Sequence, residues 1–111
     1  MPALEGSEKQ IKWAMSLRVD ALLWVRKALD LDASQNETMQ QALHDYRRHL
    51  LRQTEARWWI NVREQMQRGC YQHFRVFFIE RKQFYGPYYL LLSAFASEWS
   101  YREAGHTLGG Q

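Results

Sequence analysis

Cys70 and His73 form the one pair in this chain of 111 residues whose types and spacing suit covalent chemistry. Three residues apart, they can meet on a helical turn, and an imidazole beside a thiol can leave a nucleophilic thiolate. No glycine-rich oxyanion loop accompanies them, and a lone cysteine reads equally as a small buried hydrophobe. His44, His49, His73 and His106 contain no H-x3-H pair, and one cysteine cannot supply a Cys/Cys ligand pair, so a metal site is not expected. There is no glycine-rich phosphate loop, and the acidic residues are too scattered for glycoside or phosphoryl chemistry. The chain therefore reads as a non-enzyme with no catalytic residues, metal or cofactor. An enzyme built around Cys70 is the weakest alternative.

Binding chemistry is better represented. Eleven of the fifteen basic residues are arginine, which makes planar, bidentate pairs with carboxylate and phosphate. His44, Arg48 and Arg52 recur at i, i+4, i+8, with Arg47 beside them, and Arg57, Arg63 and Arg68 follow. Phosphate-binding surfaces have this pattern. So do ordinary solvated faces, and Asp45, Glu55 and Glu64 are close enough to pair with several of these arginines. Eleven of the sixteen aromatics lie between Tyr71 and Tyr101. Tyrosine, tryptophan and arginine dominate interface hot spots, and five tyrosines in this half are more than a small core needs to bury. The expected partner-binding residues are Arg47, Arg48, Arg52, Arg57, Tyr85, Tyr88 and Tyr89. The expected partners are another protein, nucleic acid, or a second copy in a homodimer.

These residues need elements to position them. Ser7 and Gln10 make an S-x-x-Q capping box, and a long helix to about Leu29 should follow. Ile11, Ala14, Val25 and Leu29 mark one apolar face of it; Trp13, Leu17, Ala21, Trp24 and Ala28 mark another. Asp30 to Asn36 is a polar break, with Ser34 or Asn36 capping a second helix that fades near Arg52. Met39, Ala42, Leu43, Tyr46 and Leu50 fall at helical spacing there. Thr54 reads as the N-cap of a third helix that Gly69 ends, although the two helices can also be one kinked helix. Residues 70–84 fit a helix through Tyr71, Phe74, Phe77, Phe78 and Arg81. A short strand at 74–79 is the alternative. Pro87 opens a last helix with the stripe Tyr88, Leu91, Leu92, Phe95 and Trp99, ended by Gly105. The predicted fold is all-α: a small irregular or orthogonal bundle of four to five helices in one domain, 1–111, with loose termini at 1–6 and 106–111.

Composition agrees. With 46% hydrophobic and 24% charged residues the chain is globular rather than disordered. The net charge of +3 permits an acidic or nucleic-acid partner without requiring one. The longest apolar run, Tyr88 to Leu92 with Ala94 to Ala96, is about half of what a membrane span needs. A lone cysteine and no leader pattern suit the cytoplasm.

Two segments carry a resemblance. Gly6-Ser7-Glu8-Lys9-Gln10-Ile11-Lys12-Trp13-Ala14, with Leu17-Arg18, and later Ala56-Arg57-Trp58-Trp59-Ile60-Asn61-Val62-Arg63, resemble the two marker elements of a family of small phage, plasmid and prophage proteins. At least one type I-E anti-CRISPR protein is similar in both. The resemblance spans roughly residues 5 to 65 and departs from the second element at Val62, where asparagine is common. It implies a mobile-element origin and supplies no catalytic residues. The expected function is therefore a phage-encoded anti-CRISPR protein in the cytoplasm of the bacterial host. It would act as a stoichiometric inhibitor that binds a Cas protein of a type I effector complex or its nuclease. A nucleic-acid-binding accessory protein of a mobile element is the alternative.

Overall fold

A computed structural model describes residues 3–66, 70–85 and 89–103. The fold is an all-α bundle, without strands among the described residues. Its helices are α1 (Glu8–Leu29), α2 (Glu37–Leu51), α3 (Ala56–Asn61), α4 (Tyr71–Glu80), α5 (Lys82–Tyr85) and α6 (Tyr89–Glu103), with a 3₁₀ turn at Asp32–Gln35. That is six where four to five were expected, because the 70–84 segment breaks at Arg81 into α4 and the single turn of α5.

α1 begins as its cap dictates. Ser7 Oγ accepts from the Gln10 amide at 3.2 Å, and Gln10 Oε1 accepts from the Ser7 amide at 3.1 Å. Its buried face is built on Ala14, Ala21 and Ala28, all fully buried and seven apart, which lets α2 and α3 approach closely. Trp13 does not join that face as expected. It is 48% exposed, and the Arg63 guanidinium stands 5.2 Å from its ring centroid.

Asn36 caps α2 by accepting from the Thr38 amide at 2.9 Å. Met39, Ala42, Leu43, Tyr46 and Leu50 are all fully buried, the same five that the helical spacing picks out. The chain then breaks rather than kinks. The Glu5 amide donates to the Thr54 carbonyl at 2.7 Å, and the Ala56 amide donates to the Glu5 carbonyl at 2.8 Å, in a single parallel bridge. The expected Thr54 cap is therefore displaced. The N-cap position falls on Glu55, with no side-chain cap, because Glu5 satisfies the otherwise orphaned Ala56 N–H. α3 is also shorter than expected. It ends at Asn61 and continues to Met66 as turns. The expected terminators Gly69 and Gly105, and Pro87, lie outside the described residues.

Gly6 sits at φ +146°. A Cβ there would lie 3.0 Å from Gln10 Oε1 and 3.1 Å from Ala56 Cβ. The two elements of the resemblance thus meet in space, Gly6 against Ala56 and Trp13 beneath Arg63. Gly6→Ala is expected to cost about 1–2 kcal/mol, from backbone strain and crowding together. A urea midpoint equal to the parent's would contradict this.

Between Tyr71 and Glu80 the helix prevails over the strand alternative. Phe74, Phe77 and Phe78 are buried at i, i+3, i+4, while Val76, which a strand would turn inward with Phe74 and Phe78, is 42% exposed. In α6, Leu92, Phe95 and Trp99 face the core. Trp24 joins four helices there. Its ring centroid lies 6.1 Å from Tyr46, 5.7 Å from Phe74, 5.9 Å from Phe95 and 5.2 Å from Trp99. Among the described residues no helix is long and apolar enough to cross a membrane.

Candidate functional site

The second half of α2 and the α4–α5 corner enclose a cleft of about 280 Å³. α2 contributes Asp45, Arg48, His49 and Arg52, which share one face at i, i+3, i+4, i+7. Phe77 and Arg81 come from the end of α4, and Phe84 and Tyr85 from α5. Asp45 is the one carboxylate in the lining, and it is already engaged. Tyr85 donates to its Oδ2 at 2.7 Å, while Gln41 (2.8 Å) and Arg48 donate to Oδ1. Burial raises the Asp45 carboxyl, but these three donors outweigh it and hold it below the usual carboxylate value. Burial and the neighbouring carboxylate push the Tyr85 phenol up, so it stays a donor.

Arg48 is thus neutralised within the chain, whereas Arg52 and Arg81 have no carboxylate partner among the described residues. Arg81 is held in place by other means. Its guanidinium lies 3.9 Å from the Phe77 ring centroid, and Nη1 donates to the Phe77 carbonyl at 3.3 Å. Phe84, 74% exposed, stands on the rim. The cleft therefore offers two guanidinium groups outside any ion pair among the described residues, beside an exposed aromatic ring, although the Glu80 charge also reaches His49. That combination suits a carboxylate- or phosphate-bearing ligand with an apolar or planar part.

From His49 in the cleft wall a layer of aromatic and histidine rings runs inward. His49 and His73 stack at 6.5 Å, and both pack against Trp58. Burial, then Arg81 and Arg52, lowers His49. Burial, then His49, lowers His73 to about 4. Folding therefore favours the neutral imidazoles, so their contribution is complete above pH 6.5 and is lost as pH falls towards 4. Stability is expected to drop by on the order of 2–3 kcal/mol across that window through His73 alone. Urea titrations at its two ends test this, and a flat profile would contradict it.

The Cys70–His73 pair is not poised for thiolate chemistry. The Tyr46 hydroxyl lies 2.8 Å from His73 Nδ1 and also within hydrogen-bonding reach of Cys70. Burial, then the Asp20 charge, pushes the thiol up to about 12, opposite to what a nucleophile needs. Among the described residues no three His, Cys, Asp or Glu side chains are grouped to hold a metal.

Of the expected binding residues, Arg48, Arg52 and Tyr85 converge on the cleft. Arg47 does not, and it lines a groove between α1 and α2 together with His44. Arg57 is exposed on α3 and lines neither. Tyr88 and the Tyr89 side chain lie outside the described residues. The stripe His44, Arg48, Arg52 divides because each four-residue step drifts about 40° around a helix. Sequence reasoning missed Arg81 as a site residue, Phe84, and the Asp45–Tyr85 bond. The available signal was that Phe77 and Arg81, i and i+4, can stack.

The chain matches no protein-family model, no curated protein and no solved structure.

Proposed function

We propose that this protein acts by binding, as a stoichiometric anti-CRISPR inhibitor encoded by a phage or other mobile element. Its partner is a Cas protein of a type I effector complex or the nuclease that complex recruits. The observation that carries the binding reading is the cleft, where Arg52 and Arg81 stand outside any ion pair among the described residues, beside the exposed Phe84. An acidic loop with one apolar side chain satisfies all three groups at once. The choice of target rests on the resemblance of the opening and mid-chain elements to mobile-element proteins. The test is phage plating on hosts with an active type I system, with and without the protein expressed. Plating efficiency is expected to rise, and the protein should co-purify with a Cas subunit at a fixed ratio. Unchanged plating in every type I host removes the proposal.

A second reading is a nucleic-acid-binding accessory protein, in which the same guanidiniums take phosphates and Phe84 stacks on a base. It predicts that the protein alone binds DNA or RNA, with affinity falling steeply as salt rises. Flat titrations at low salt remove it.

A further inference from the structure

A second surface, separate from the cleft, lies on α1. Met15, Val19 and Leu23 are each 44–50% exposed, and with Leu22 they form one apolar strip along the helix. Beside the strip is a groove of about 440 Å³, whose walls include Leu22, Arg26 and Leu29 of α1 and Arg47 of α2. Four apolar side chains in a row on the longest helix call for a partner.

The charges that bracket the strip identify it. Lys12 and Asp30 are both exposed, and neither makes an ion pair among the described residues. They stand eighteen positions apart, about five complete turns, so they lie on the same face at opposite ends of the strip. Their midpoint is Ala21, which is fully buried on the opposite side of the helix. A second α1 laid antiparallel about that midpoint brings Lys12 of each copy to Asp30 of the other. In the same register Val19 faces Leu23, Ser16 faces Arg26, and Met15 falls at the mouth of the groove between Arg26 and Leu29.

We propose that the protein forms a two-fold dimer through this antiparallel α1–α1 contact, with Met15, Val19, Leu22 and Leu23 at its centre and a Lys12–Asp30 pair at each end. The apolar strip and the two end charges each match their own two-fold copies, as a two-fold interface requires.

Sedimentation velocity over a concentration series tests this, with circular dichroism confirming that each variant folds. The parent is expected to approach about twice 13.4 kDa as concentration rises. Leu23→Glu should remain a monomer. Lys12→Asp places like charges at both ends and should raise the dissociation constant about tenfold at low salt. The double exchange Lys12→Asp with Asp30→Lys should restore parental association. A parent that stays monomeric throughout overturns the proposal. So does a dimer indifferent to Leu23→Glu, and so does a double exchange that fails to recover.

Discussion

Replacing Trp24 with alanine is expected to lower the free energy of unfolding by about 3–5 kcal/mol, the usual range for deleting a fully packed indole. The environment places the loss at the upper end. Trp24 is 3% exposed, and its ring meets Tyr46 of α2, Phe74 of α4, and Phe95 and Trp99 of α6. The space left is lined by rigid rings from three other helices, which cannot collapse into it without moving their backbones. A domain of this size holds only about 5–15 kcal/mol in total, so the variant should sit near its threshold. Trp24→Phe keeps a ring in the cavity and should lose roughly half as much, which separates a packing loss from a failure to fold. Urea unfolding followed by circular dichroism measures both. A loss under about 1 kcal/mol for the alanine variant would mean that α6 does not depend on this contact.

If the proposed Cas partner docks in the cleft, reversing its two guanidinium charges, Arg52→Glu with Arg81→Glu, is expected to weaken that capture by about a hundredfold or more, since each substitution both deletes an attraction and adds a repulsion. Phe84→Ala should cost about thirtyfold, the scale of an aromatic hot spot. Neither change removes a core side chain. Arg52 and Phe84 are exposed, and Arg81 gives up only its stacking on Phe77 and one carbonyl contact. Thermal melts should therefore barely move. Arg57→Glu makes the same charge change outside the cleft and serves as the control. Loss of binding in Arg57→Glu, or its retention in the double reversal, would place the contact elsewhere on the protein.

Much of this fold is readable in the residues. Where one periodicity dominates, as in α2, spacing alone selects the five side chains that become fully buried. Ser7 and Gln10 mark a helix start because that chemistry is local. The failures occur where a distant segment decides. Trp13 looks like a core residue until Arg63 arrives from a turn beyond α3. Thr54 is a good cap whose role is taken over by the backbone of Glu5. The cleft was half visible: Arg48, Arg52 and Tyr85 stand out by type. The pairing of Asp45 with Arg48 is local, i and i+3, and is readable too; only the packing of α4 and α5 against α2 brings Arg81, Phe84 and Tyr85 beside it.

The bridge from Glu5 to the Thr54–Ala56 backbone bears on how this chain reaches its fold. It joins segments on either side of α1 and α2, so it closes a long loop and can form only after both helices have turned back on each other. Contacts of such large sequence separation require loop closure before they return any energy, so this one is expected to form after α1 and α2. The bridge is expected to work as a latch rather than a seed. In native-state hydrogen exchange the amides of Glu5 and Ala56 would lose protection together, ahead of those in the middle of α2. Gly6, pressed between the cap and Ala56, is the residue whose shape lets the latch shut.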